Sequence, residues 1–147
     1  MSLEKIKIKK LHDNATIPTR SHSTDAGLDL YASEEVCADE GTLISTGIAV
    51  DIPPGYEGTI RPRSGLTSRT GLRVQLGTVD SGYTGELKVI ADYIPNEGIG
   101  DQTYAVSTGD KIAQLVISPI ETPEVEVVDE FDSESERGEN GFGSTGK

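Results

Sequence analysis

Thr42-Leu43-Ile44-Ser45-Thr46-Gly47-Ile48-Ala49-Val50-Asp51-Ile52, followed at once by Pro53-Pro54-Gly55, is the stretch that decides the fold. Thr, Val and Ile favour a pleated backbone, and the Pro-Pro-Gly stop ends the run in a turn. The same composition returns over Glu57 to Arg61, Glu86 to Tyr93 and Lys111 to Ile120. Ahead of them Leu3 to Lys9 alternates, with Ile6 and Ile8 on one face. Asp80-Ser81-Gly82, Pro95-Asn96-Glu97-Gly98 and Thr108-Gly109-Asp110 supply the turns between. Many short strands at this spacing predict an all-β, jelly-roll-like sandwich or barrel. One brief helix is expected over Ser64–Thr70, its length limited by Gly65 and Gly71. Residues 96–109 read as a polar excursion between strands. The chain thus divides into a β domain over 1–120, an acidic connector over 121–136 and a glycine-rich, flexible arm over 137–147.

Composition narrows the partners. The 147 residues carry 13 Lys and Arg against 25 Asp and Glu, a net charge of −12. That balance argues against DNA or RNA polymers, which need broad positive surface. A free nucleotide is still open, because a few arginines and a metal ion neutralise one triphosphate. With 34% hydrophobic residues and no Trp, the core must come from Val, Ile and Leu. No apolar run approaches the roughly 18 residues of a membrane span, and Met1-Ser2-Leu3-Glu4-Lys5 lacks a signal peptide's apolar stretch, so a cytoplasmic protein is expected. The lone cysteine, Cys37, has no disulfide partner in the chain and reads as a small, half-buried strand residue. His12 and His22 read as surface residues.

Four segments carry chemistry. Arg61-Pro62-Arg63-Ser64-Gly65-Leu66-Thr67 puts two arginines and a serine at the start of the short helix, a phosphate cradle or an ordinary serine N-cap. Gly77-Thr78-Val79-Asp80-Ser81-Gly82-Tyr83-Thr84-Gly85-Glu86 reads as a hairpin with an acid at its tip. Asp80 there could orient or deprotonate a water, and Tyr83 could press on a sugar; a turn aspartate and a packing tyrosine are the plain alternative. Asp29, in Asp25-Ala26-Gly27-Leu28-Asp29-Leu30, offers a second carboxylate. Gln114, inserted among Ile112, Ala113, Leu115 and Val116, requires a definite hydrogen-bond partner if it faces inward. The arm, Arg137-Gly138-Glu139-Asn140-Gly141-Phe142-Gly143-Ser144-Thr145-Gly146-Lys147, has no apolar face to bury, yet it holds a guanidinium, two hydroxyls and a flat ring. It reads as a lid that orders on a nucleotide, held off the body by the acidic connector.

In order and content these segments resemble the five motifs of the all-β homotrimeric dUTPases, which cut dUTP to dUMP and pyrophosphate. The resemblance runs from Asp25 to Gly146. It implies a jelly-roll subunit in a threefold trimer whose active sites each draw on all three chains. By that likeness Asp80 activates the water that attacks the α-phosphorus, and Asp29 holds, through water, a magnesium ion riding on the triphosphate. Arg63, Ser64 and Gly65 match the phosphate-binding motif, with Ser64 near the bridging oxygen. Gln114 would contact phosphate or the catalytic water. Tyr83 would pack on deoxyribose and exclude a 2′-hydroxyl, while backbone groups of Gly77, Thr78, Val79 and Lys88 read the uracil edge. Phe142 would stack on uracil, worth about 1–3 kcal/mol, with Arg137, Gly143, Ser144 and Thr145 closing the arm over the γ-phosphate. The implied role is to keep uracil out of DNA and to supply dUMP for thymidylate synthesis.

The chain departs from the family pattern in two places. Many bacterial members carry Asn six residues before the catalytic aspartate; here that residue is Val74, leaving uracil recognition to the backbone or to Gln75. Residues 96–109 are also longer than in minimal members, which leaves a surface ornament or a partner-binding site open. A dCTP deaminase would need a glutamate at Ile90, five residues beyond Gly85, and tends to carry Trp at Tyr83. A dUTP-dependent regulatory protein with a protein partner, built on the same scaffold, is the other alternative. Degradation of the catalytic set would be its mark, and none is visible.

Overall fold

The computed structural model describes residues 2–95, 102–143 and 146. Among these, the strands are β1 (Lys7–Lys10), β2 (Gly27–Tyr31), β3 (Val36–Ala38), β4 (Thr42–Asp51), β5 (Tyr56–Arg61), β6 (Leu72–Val74), β7 (Gly77–Val79), β8 (Glu86–Tyr93), β9 (Tyr104–Val106) and β10 (Lys111–Pro119). One short helix, α1 (Ser64–Arg69), follows β5. Two four-stranded sheets, ordered β1-β4-β8-β6 and β2-β10-β5-β7, are accompanied by a two-stranded ribbon of β3 and β9. The all-β architecture is the one the sequence predicts. No helix among the described residues is long and apolar enough to cross a membrane.

Alternation decides which way each strand faces. In β8 Leu87, Val89 and Ala91 are buried while Lys88 and Ile90 are exposed. In β2 Leu28 and Leu30 point inward and leave Asp29 on the other face. Leu30, Ile44, Ile48, Ile52, Leu72, Val89, Ile112 and Leu115 form the centre of the core, and burying each such side chain is worth about 1.5–3 kcal/mol.

A bulge in β4 sets the start of β8. The pairing slips between Ser45↔Lys88 and Ala49↔Glu86, and Gly47 takes a φ of +67°. Thr46 Oγ1 donates to the Leu87 carbonyl at 2.5 Å, and Glu86 Oε2 accepts the Gly47 N–H at 2.9 Å. A side chain at Gly47 would also meet the His12 ring and the Ala15 methyl. The returning strand of the Asp80 hairpin is therefore pinned at its first two residues.

Several boundaries differ from expectation. β1 begins at Lys7, although Ile6 and Ile8 do pack against the core. The helix ends at Arg69, with Thr70 as its C-cap. The polar excursion is not unstructured throughout: Tyr104–Val106 forms β9, because Val106 is buried and Tyr104 packs against the core and near Tyr93. Residues 96–101 lie outside the described part. Cys37 is in a strand, β3, but exposed, because its neighbours Val36 and Ala38 take the inward positions. His12 and His22 are exposed, as expected. Over 121–136 the chain forms no strand or helix and stays exposed, with Val125, Val127 and Phe131 each close to 90% accessible.

Candidate active site

Strand register gathers the first cluster. Across β2, β10 and β5, Asp29 lies opposite Gln114, which lies opposite Arg61. The Asp29 side chain is only 13% exposed. Arg63 Nε donates to its Oδ1 at 3.2 Å, Lys111 Nζ stands 3.6 Å from Oδ2, and the Ser21 hydroxyl donates to Oδ2 at 3.4 Å. Gln114 does not face the core: it is half-buried on the face it shares with Asp29, where Nε2 donates to the Pro62 carbonyl at 2.9 Å. Its Oε1 lies over Gly27, where any Cβ would collide with it. Asp29, Arg63 and Gln114 are thus brought together, with Gly65 and Ser64 on the adjoining turn of α1. Ser64 is the first helical residue; Arg63 holds the N-cap position, so the ordinary serine cap is ruled out. Arg73 Nη1 closes the other end of α1 on the carbonyls of Thr67, Thr70 and Leu72 at 3.1, 2.8 and 3.0 Å.

The second cluster is the hairpin. The Tyr83 N–H donates to the Asp80 carbonyl at 3.2 Å, and Gly82 supplies the positive φ of 84° that the turn needs. Tyr83 folds back so that its hydroxyl donates to the Glu86 carbonyl at 2.9 Å. Gly85 makes this possible, since a Cβ there would stand 2.6 Å from the hydroxyl oxygen. Gly77, Thr78, Val79, Asp80, Tyr83 and Lys88 line one open cleft of about 420 Å³, together with Ile60, Glu86, Leu87 and Ile90. Neither Val74 nor Gln75 lines it. The Gln75 amide is committed to Asp92, donating to Oδ2 at 2.9 Å. The Gly41 N–H and then that amide hold the Asp92 carboxyl below the ordinary carboxylate range.

Among the described residues no hydrogen bond or ion pair ties the arm to either cluster. Arg137 Nε donates to the Asn140 carbonyl at 2.6 Å, and the Gly138 N–H donates to Ser135 Oγ at 3.0 Å. Phe142 has a φ of 51° and is fully exposed, with Gly143 beside it at a φ of 86°. Ser144 and Thr145 lie outside the described residues.

Register also measures the gap between clusters. Val79 pairs with Gly58, so Asp80 lies level with Glu57, four positions along β5 from Arg61. At about 3.3 Å per residue and 4.8 Å per strand, with three strand spacings between β2 and β7, Asp29 and Asp80 stand about 20 Å apart. One triphosphate cannot meet both carboxylates of the same chain at its reacting phosphorus.

Several contributors were not singled out from the sequence. Lys111 sits in the Gly109–Leu115 segment, but only the β2–β10 register reveals its aim at Asp29. Gly27 and Gly85 look like ordinary turn glycines until the side chains that occupy their missing Cβ positions are seen.

Cations gathered on one side and a narrow hairpin slot on the other suit the two ends of a nucleotide, which makes this an all-β nucleotide-handling protein. Among known proteins the dUTPase family profile matches residues 13–146. The chain belongs to the dUTPase family. It is 47% identical over 147 residues to the deoxyuridine 5′-triphosphate nucleotidohydrolase of Syntrophotalea carbinolica, covering 96% of each chain. It is 46% identical over 145 residues to that of Clostridioides difficile, covering 96% of this chain and 97% of the relative. A point mutant of the Staphylococcus bacteriophage 80alpha dUTPase, solved with dUpNHpp, superposes with a TM-score of 0.89 at 37% identity, covering 99% of this chain and 100% of that one. The same phage's dUTPase is described as controlling transfer of virulence genes by a proto-oncogenic G protein-like mechanism. A phage phi11 dUTPase mutant, whose structure details the coordination of a structural Mg(II) ion, superposes with a TM-score of 0.79 at 37% identity, covering 88% and 100%.

Proposed function

We propose that the chain is a dUTP diphosphatase that hydrolyses dUTP to dUMP and pyrophosphate at sites shared between the copies of a homotrimer. The observation that carries the shared site is the separation of Asp29 from Asp80: each cluster is well formed, yet no single chain brings them to one phosphorus. A second copy supplies the hairpin to the first copy's phosphate cluster, and an arm arrives from a third. That no described hydrogen bond or ion pair ties residues 137–143 to their own body, and that Val125, Val127 and Phe131 of the connector are exposed, support this.

In that assembly Asp80 accepts a proton from a water aligned on the α-phosphorus, and pyrophosphate leaves. Gln114, its amide nitrogen held by the Pro62 carbonyl, keeps Oε1 available to orient that water or a phosphate. Arg63, Ser64 and Gly65 take the phosphates. Tyr83, fixed by the Glu86 carbonyl, sits against the deoxyribose, and the backbone of Gly77 to Val79 and Lys88 reads uracil without help from Gln75. Phe142 caps the base, while Arg137, Gly143, Ser144 and Thr145 close on the terminal phosphate and exclude water.

The donor set fits a magnesium ion that arrives on the triphosphate. Among the described residues no group of three or more His, Cys, Asp or Glu could hold a metal by itself. Asp29 stands among the residues proposed for phosphate with both oxygens already facing cations, which suits a contact through water. The ion would neutralise charge on the leaving pyrophosphate.

Pyrophosphate release from dUTP, dCTP, dTTP and UTP, each with magnesium and with chelator, tests the reading. Release from dUTP alone, weakened by chelator, is expected. Tight dUTP binding with no release from any nucleotide would overturn it and point to the regulatory role described for the phage relatives.

A further inference from the structure

Beside the Asp29 cluster a second hollow, of about 360 Å³, opens between α1, β9 and the turn into β10. Arg63, Arg69 and Lys111 line it. Among the described residues that line it Asp110 is the one acid, and that carboxylate already accepts the Ser107 N–H at 2.9 Å. In a chain of net charge −12 this is a local reversal of sign. Cations gathered round an open hollow repel one another until an anion enters.

Arg69 is the member with no task in hand. Arg63 and Lys111 share Asp29, whereas Arg69 forms no ion pair among the described residues. Its guanidinium does not trail from the end of α1. Nη1 lies 3.0 Å, and Nη2 3.8 Å, from the point a Cβ on Gly65 would occupy, so the side chain folds back over that glycine. Gly65 belongs to the segment assigned to phosphate, and its missing side chain is what admits the arginine.

We propose that Arg69 is a further phosphate-binding residue, and that with Arg63 and Lys111 it forms a subsite for a pyrophosphoryl group. This deepens the dUTP diphosphatase reading and rests on it. The subsite holds the terminal two phosphates of the substrate and keeps the same contacts to pyrophosphate after cleavage. A guanidinium suits this better than an ammonium, because its planar fork meets two phosphate oxygens at once. The hollow shares no lining residue with the hairpin cleft proposed for the nucleoside, so Arg69 should distinguish ligands by their phosphates alone.

Calorimetric titration of the full chain with inorganic pyrophosphate, dUpNHpp and dUMP, before and after Arg69→Gln, tests this. Pyrophosphate and dUpNHpp should each bind about tenfold more weakly, the size of one lost charge-assisted hydrogen bond, with dUMP unchanged. Arg69→Lys should restore part of the loss. Unaltered affinity for pyrophosphate and dUpNHpp would overturn the proposal, as would the absence of pyrophosphate binding to the unsubstituted protein at millimolar concentration. Equal weakening of all three ligands would also overturn it, by showing that Arg69 only shapes α1. A protein that binds pyrophosphate through Arg69 but releases none from dUTP would keep the subsite and refute the hydrolase.

Discussion

Arg63 Nε stands 3.2 Å from Asp29 Oδ1, so the residue proposed to take phosphate is bonded to an internal carboxylate. On the proposed reading a triphosphate would compete with Asp29 for that guanidinium. Lys111, 3.6 Å from the other carboxylate oxygen, would leave Asp29 one cation if Arg63 turned to the substrate. The carboxylate would thus be held in place while staying available to the proposed water-bound metal ion.

Asp29→Asn removes the charge but keeps the shape. We expect the magnesium concentration for half-maximal dUTP hydrolysis to rise about tenfold, with kcat at saturating magnesium nearly unchanged. Titration of the rate with magnesium measures this directly. An unchanged midpoint would show that Asp29 serves only to hold Arg63 and Lys111.

Asp80→Asn should leave dUpNHpp affinity nearly intact and lower turnover by at least about a hundredfold, in the range of a lost general base. Asp80 is exposed at a turn and carries no core contact, so folding should be unaffected. Equal loss of binding and rate would make it a structural residue of the hairpin.

The strands long enough to show a pattern are legible in the sequence. β4, β5, β8 and β10 are Val-, Ile- and Thr-rich runs stopped by Pro or Gly, and they lie within a few residues of the expected places. β3, β6, β7 and β9 have three residues each, too few for a period of two to emerge, and tertiary pairing makes them. β2 does alternate, Leu28 and Leu30 inward against Asp29, but its acidic and glycine residues mask the strand. The chemistry-bearing residues are legible as types in motifs. Their grouping into two clusters is not, because it depends on the β2-β10-β5-β7 register, which no local pattern fixes.

Gly27→Ala tests one such register-dependent contact. The added methyl would displace the Gln114 amide, which is held between Gly27 and the Pro62 carbonyl. A stability loss of about 1–3 kcal/mol is expected from overpacking. A fall in kcat/KM larger than Tm loss explains should accompany it, read by thermal unfolding and steady-state kinetics side by side. Unimpaired kinetics in the folded variant would remove Gln114 from the reaction.

Deleting residues 137–147 should leave Tm nearly unchanged, since no described hydrogen bond or ion pair ties residues 137–143 to the β domain. Hydrolysis should fall at least about a hundredfold through loss of the closing arm. A large drop in Tm or in assembled mass would make the arm an assembly element.

Mixing two inactive proteins tests the shared site most directly. Asp80→Asn and Arg63→Ala each disable one cluster and leave the other intact. Unfolded together and refolded as mixed assemblies, they should regain a substantial fraction of the unsubstituted dUTP hydrolysis, because some sites then pair an intact hairpin with an intact phosphate cluster. Activity no greater than that of either variant alone, in assemblies shown to contain both, would place the whole site within one chain and contradict the account.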